Sequence, residues 1–245
     1  MDPKDKVALI TGGARVGRSV ASLLAGRGCS VAVTWRSSRA SAEETVAAVR
    51  SKGARGLAVH ADLADPGAAG AAVEAGRGGL GRLDILVCMA SHYQRVDLGR
   101  LDDEAWRKNM ETDLHSVYRL ALAAAPIMQA EGQGRIVAFS DWLPASGRPR
   151  YRGYLPYYVA KAGVVGLVEA LALELAPAIL VNAVAPGPIL KPKGFSDEAD
   201  REVMRVTPLG RWGGPDEIAR AVLFLVETEF ITGECLRVDG GRHLN

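Results

Sequence analysis

Seven short runs of β-branched and aliphatic residues recur along this chain, separated by longer stretches rich in Ala and Leu. The runs cover residues 6–11 (KVALIT), 29–35 (CSVAVTW), 56–60 (GLAVH), 84–90 (DILVCMA), 135–140 (RIVAFS), 179–185 (ILVNAVA) and 234–239 (ECLRVD). Helical periodicity falls between them, at 15–27, 39–52, 66–77, 102–130, 157–176 and 215–227. Parallel strands need a crossover between neighbours, so this alternation predicts an α/β fold on a central seven-stranded parallel sheet. The runs are apolar almost throughout instead of alternating, which requires helices on both faces: a doubly wound, three-layer sandwich. The Gly-rich segment GRGGLGRLD is read as a helix-to-strand turn, and no linker or repeat divides residues 1–245.

The chain has 245 residues, of which 48% are hydrophobic, enough for one large core. With 30 Lys and Arg against 28 Asp and Glu, no excess field favours nucleic acid or an anionic membrane, and small molecules are the expected partners. The first residues lack an apolar run of the roughly 7 to 15 that a signal peptide needs. A soluble, cytoplasmic protein is expected. Cys29, Cys88 and Cys235 are odd in number and far apart, which predicts buried, reduced thiols, and the four histidines show no metal-ligand spacing, so no metal is expected.

Two places carry chemistry. The first is the turn TGGARVG after the first run: Gly12, Gly13 and Gly17 allow the backbone to approach a pyrophosphate, which the following helix N-terminus attracts. The second is LPYYVAKAG, where Tyr157 and Lys161 stand four residues apart and share one helix face. An ammonium beside a phenol is expected to draw the phenol's pKa down towards working pH, as general acid catalysis requires.

Together with Asp62, PGPI at residues 186–189 and DGG at 239–241, these motifs resemble the short-chain dehydrogenase/reductases over the whole chain. The resemblance implies a Rossmann-type catalytic and dinucleotide-binding domain over 1–245, with a substrate lid at about 188–210. The glycine turn is one residue shorter than the family's TGxxxGxG and looks most like the TGxxxRxG turn of the pteridine reductase branch, with Arg15 as its arginine. Cofactor contacts are implied for Thr11, Gly12, Arg15, Val16, Gly17, Asp62, Leu63, Ala90, Ser91, Tyr157, Lys161, Pro186, Gly187 and Ile189. Asp62 reads equally as a turn or helix cap. After the second run, where an NAD enzyme places an acid against the ribose, this chain has Arg36 and Ser37, which suit a 2′-phosphate and predict NADPH.

The family's catalytic serine aligns with Asp141, 16 residues before Tyr157, and its catalytic asparagine with Asp113. An aspartate beside Tyr and Lys suits a substrate protonated on ring nitrogen. The main expectation is therefore an NADPH-dependent reductase of a pteridine-like C=N bond, with Tyr157 as proton donor, Lys161 holding the ribose and Asp141 shuttling protons. The alternatives are a ketone or 3-oxoacyl reductase and a non-catalytic NADP(H)-binding sensor. Asp141 also reads as a cap, or as a partner of Arg148 or Arg150, and Asp113 as catalytic or structural. Tyr93, Trp142, Tyr151 and Phe195 are expected to enclose the substrate, with Tyr154 beside them. The helix at 157–176, apolar nearly all round, either meets another subunit or is buried in the same domain; a homo-oligomer, with a tetramer favoured, is the expectation.

Overall fold

The computed structural model describes residues 1–12, 14–147 and 149–245; Gly13 of the glycine turn and Arg148, the suggested partner of Asp141, lie outside the described residues. Seven strands, β1 (Val7–Thr11), β2 (Ser30–Trp35), β3 (Gly56–His60), β4 (Ile85–Cys88), β5 (Gly134–Phe139), β6 (Ile179–Pro186) and β7 (Cys235–Val238), form one sheet in the order β3-β2-β1-β4-β5-β6-β7. Every pairing is parallel. The order reverses between β1 and β4, and at such a switch point the strand ends open a crevice.

The helices are α1 (Val16–Gly26), α2 (Arg39–Arg50), α3 (Ala68–Leu80), α4 (Asp103–Asn109), α5 (Ser116–Ala130), α6 (Trp142–Ala145), α7 (Leu155–Leu175), α8 (Asp197–Arg205) and α9 (Pro215–Glu227). Two apolar cores lie on the two faces of the sheet. Leu9, Leu86, Ile136 and Val181 pack with α3, α5 and α7 on one side, and Ala8, Ile10, Ile85 and Val137 with α1, α2 and α9 on the other. The period-2 pleat explains this, since successive residues of each fully buried strand feed opposite cores.

Three boundaries differ from the sequence reading. The glycine tract at 76–80 continues α3 instead of forming a turn. A side chain on Gly76 would stand 3.6 Å from Ala32 and Leu9, and one on Gly79 would reach within 2.6 Å of Leu57, so the glycines let the helix lie close to the sheet. Only Gly81, at φ 92°, makes the turn. The strand expected to run to Ala90 ends at Cys88, because Met89 and Ala90 donate their N–H groups to Thr11 Oγ1 (3.0 and 3.1 Å). The single helix expected at 102–130 is interrupted by a π turn at Met110–His115. Such turns commonly mark functional sites.

Cys29 and Cys88 are buried free thiols whose pKa burial pushes up to about 12; Cys235 is half-buried, pushed up to about 11. Among the described residues no helix is long and apolar enough to cross a membrane, and no side-chain cluster could hold a metal ion.

Candidate active site

Tyr157 and Lys161 lie in the first two turns of α7, with Lys161 reaching Phe139 at the C-terminal end of β5. Asp141 caps α6, its Oδ1 accepting from Leu143 N at 2.9 Å. Its Oδ2 accepts from the Tyr157 hydroxyl at 3.1 Å. The cap role is therefore met by one oxygen, while the other stands against Tyr157. Arg150 is not its partner but lies over the Trp142 ring. The neighbouring Ser140 points the other way, its Oγ donating to Lys161 O at 2.9 Å inside the core.

Lys161 is buried, with 2% of its side chain exposed. Its Nζ donates to Phe139 O at 2.9 Å and stands 3.2 Å from Asp113 Oδ1. Asp113, at 0% exposure, gathers four groups: beside Lys161, it accepts from Ser91 Oγ (2.5 Å), His92 N (3.0 Å) and Asn109 Nδ2 (3.2 Å). The π turn aims this carboxylate inward, joining α7, the turn and the loop after β4.

Burial, more than this pairing, sets the electrostatics of Tyr157 against the expected direction. The Tyr157 phenol is not drawn towards neutral pH but held well above its ordinary value, first by burial and then by the carboxylates of Asp141 and Asp113. Burial also holds the Asp141 carboxyl above the usual carboxylate range, against the lowering pull of Leu143 N, Tyr157 and Lys161.

A cavity of about 960 Å³ runs from the glycine turn across these groups. Gly12, Arg15, Val16, Gly17, Ser91, Pro186, Gly187 and Ile189 line one part of it, and Tyr93, Asp141, Trp142, Tyr151, Tyr154, Tyr157, Lys161 and Phe195 the other. A second, smaller cavity beyond Gly12 is lined by Thr34, Trp35, Arg36, Ser37 and Ser38. A dinucleotide fits this pair of spaces. The backbone is bare where the pyrophosphate would pass: a methyl on Gly17 would collide with the Gly12 carbonyl oxygen, and one on Gly12 would touch Met89 and Ala90. Arg15 stands at φ 52°, a conformation L residues rarely adopt, at the start of α1.

Several residues with implied cofactor contacts stand outside these two cavities. Thr11 is buried and serves as the β1–β4 clamp. Asp62 caps its own turn (Ala64 N to Oδ1, 3.1 Å) and Leu63 packs into the core. None of these three, nor Ala90, lines either cavity. Tyr93 stacks on Tyr154 (4.7 Å, 16°) and meets Tyr157 edge-on (4.8 Å). Phe195 packs edge-on against Trp212, whose Nε1 donates to Asp200 of α8 at 2.7 Å. Sequence reasoning missed Trp212 and the arginines Arg95, Arg152 and Arg242 of this wall. They come from four separated segments, and no local pattern marks them.

A family model described as Enoyl-(Acyl carrier protein) reductase matches residues 13–243. The chain is a short-chain dehydrogenase/reductase. A 3-oxoacyl-(acyl-carrier-protein) reductase of Escherichia coli is 37% identical over 251 residues, covering 100% of both chains. One from Staphylococcus aureus is 36% identical over 245 residues, covering 98% of each. Among solved structures, a short-chain dehydrogenase/reductase from Serratia marcescens superposes with TM-score 0.91 at 32% identity, covering 99% of this chain and 100% of that one. An NADPH-dependent 3-quinuclidinone reductase from Rhodotorula rubra gives TM-score 0.91 at 29% identity, covering 100% and 93%. The protein is thus an oxidoreductase of the nicotinamide-dependent kind, and these relatives do not place it in the pteridine reductase branch.

Asp113→Ala leaves Lys161 charged and buried without its counterion. The expected cost is about 3 kcal/mol, read by chemical unfolding. A loss below about 1 kcal/mol would show that this pair does not tie α7 to the π turn.

Proposed function

We propose that this enzyme is an NADPH-dependent carbonyl reductase acting on a ketone or 3-oxoacyl-type substrate. The observation that carries the reading is the Tyr157–Asp141 hydrogen bond opening on the cavity, together with a carbonyl-reducing activity in the names of its relatives. NADPH is supported by Arg36 and Ser37 in a cavity wall without an acidic residue among those described. One relative in structure, a metagenomic blue fluorescent protein at 30% identity and TM-score 0.89, is itself seen with NADPH.

The cofactor, when bound, supplies hydride to the substrate carbon. Tyr157 donates its proton to the carbonyl oxygen, and the high phenol pKa keeps that proton in place until it is needed. An ionised Asp141 would both hold the Tyr157 proton and repel the developing oxyanion. A protonated Asp141 instead offers an O–H where the family's serine offers one, and can return a proton to Tyr157 after turnover. Lys161 has three N–H donors. Phe139 O and Asp113 take two, leaving the third for a ribose hydroxyl.

A pteridine-like substrate is the second reading. The stacked Tyr93 and Tyr154 rings beside Tyr157 favour it, because a flat heterocycle could lie against them. Family membership gives no support to a sensor without turnover. The segment at 188–210 is proposed as a cover for the substrate, held by Lys191 and Trp212 on Asp200. Self-association is proposed through the outward sides of α5 and α7, where Tyr118, Leu122 and Leu173 are 46%, 50% and 82% exposed.

NADPH oxidation measured with ketones, 3-oxoacyl thioesters and dihydropterins tests the assignment. Turnover of ketones or 3-oxo thioesters is expected, and turnover confined to dihydropterins overturns it. Tyr157→Phe is expected to lower kcat by at least about 10³-fold while NADPH affinity stays within a few fold. In the parent, kcat/KM falls as pH rises through the Asp141 pKa, because the protonated carboxyl is the competent form. Asp141→Asn, neutral at every pH, is expected to lose that limb of the profile.

Arg36→Ala is expected to raise the KM for NADPH by about tenfold or more, leaving NADH nearly unchanged; equal effects on both would argue against a 2′-phosphate contact. Leu173→Glu is expected to lower the mass seen in sedimentation. An unchanged mass would remove α7 from the interface.

A further inference from the structure

The wall of the cavity beyond Tyr157 carries a charge pattern that carbonyl reduction alone does not require. Arg150, from the loop after α6, and Arg242, from the turn after β7, converge on one indole: each guanidinium carbon lies 5.6 Å from the centre of the Trp142 ring. Trp142 is buried at 5% exposure and is further fixed by Tyr151 edge-on at 6.4 Å. Arg152 lines the same cavity.

Glu202 is an acid whose charge reaches this cluster, since the stronger pull of Arg205 and a further one from Arg242 hold its carboxyl low. Among the described residues, no acid pairs directly with Arg150, Arg152 or Arg242. Arg95 is taken by Asp97 at 3.1 Å. Glu202 shares the wall, but both its oxygens are engaged by Arg205 at 2.8 Å each. Asp141 is turned to Tyr157 and Leu143.

A guanidinium laid on an aromatic ring loses little further freedom on binding and keeps its N–H edge available for a carboxylate or phosphate. The arginines also sit in the same cavity as the proton donor. We infer that Arg150 and Arg242, ordered on Trp142, form an anion subsite, and that the natural substrate carries a carboxylate or a phosphate monoester on the side away from the reduced carbonyl. The inference rests on the carbonyl-reductase reading for its turnover assay, although the anion subsite itself does not.

Two matched pairs test it: a keto acid with its methyl ester, and a 3-oxobutanoyl thioester of 4′-phosphopantetheine with that of pantetheine. The wild-type enzyme is expected to favour the charged member of at least one pair by about tenfold or more in kcat/KM, through KM. The favoured pair identifies the source of the anion. Arg150→Gln, Arg242→Gln and the double variant are expected to erase that preference while the uncharged member stays within about twofold. Equal use of charged and uncharged members by the wild type, or an equal loss for both in the variants, overturns the subsite.

Calorimetric titration with benzoate and phenyl phosphate gives a readout independent of turnover. Saturable binding that disappears in the double variant supports the subsite even if no ketone is reduced, in which case the reductase reading fails alone. Binding of neither probe, or binding unchanged in the double variant, overturns the subsite.

Discussion

A buried ion pair organises the chemistry of this protein. Lys161 and Asp113 face each other at 3.2 Å with almost no exposed side-chain surface. Removing either charge would strand the other in a medium that solvates it poorly. Asp113 also accepts from Ser91, His92 and Asn109, so the charge that satisfies the lysine also fixes the loop after β4, whose Ser91 lines the cavity. The π turn is the backbone's answer to that demand, since it delivers the carboxylate to a point already surrounded by donors.

The same pair changes what the Tyr-Lys motif means here. A lysine with a free charge would pull a phenol towards ionisation, but this one is countered by a carboxylate, and a second carboxylate stands against the phenol itself. Burial is the larger influence, raising both Tyr157 and Asp141, and the two carboxylates add to it at Tyr157. Spacing along a helix can say that two side chains share a face; it cannot say which third residue neutralises one of them.

The sheet was legible because its evidence is distributed: each of the seven apolar runs carries its own signal, and helices between them leave parallel pairing as the economical arrangement. Elements went astray where a tertiary contact overrode a local rule. Glycines at 76–80 read as a turn because glycine is a poor helix former, yet the sheet below admits the helix because they are small. Met89 and Ala90 look like strand, but a threonine on the neighbouring strand captures their amides. Of the site, Tyr157, Lys161 and the glycine turn were readable as motifs, and Asp141 through its alignment with the family's serine. Asp62 and Leu63 were matched through the family resemblance, and the structure puts them outside both cavities. Arg242 and Trp212 had no motif at all, since their place in the wall is created by the fold. The aspartate at the serine position counted against a plain carbonyl on the premise that it is ionised, and burial, by raising its pKa, weakens that premise.

Arg242 reaches the cavity because Asp239 folds the chain back on itself, accepting from Gly241 N and His243 N at 3.0 Å each and meeting His243 Nδ1 at 2.8 Å. Gly187 belongs to the same joint: any side chain there would strike Asp239. Residues 239–243 are therefore architecture for recognition. Drift in this small hook would retune which molecules are accepted while the sheet behind it remained intact, giving the scaffold a place to diversify at little structural risk.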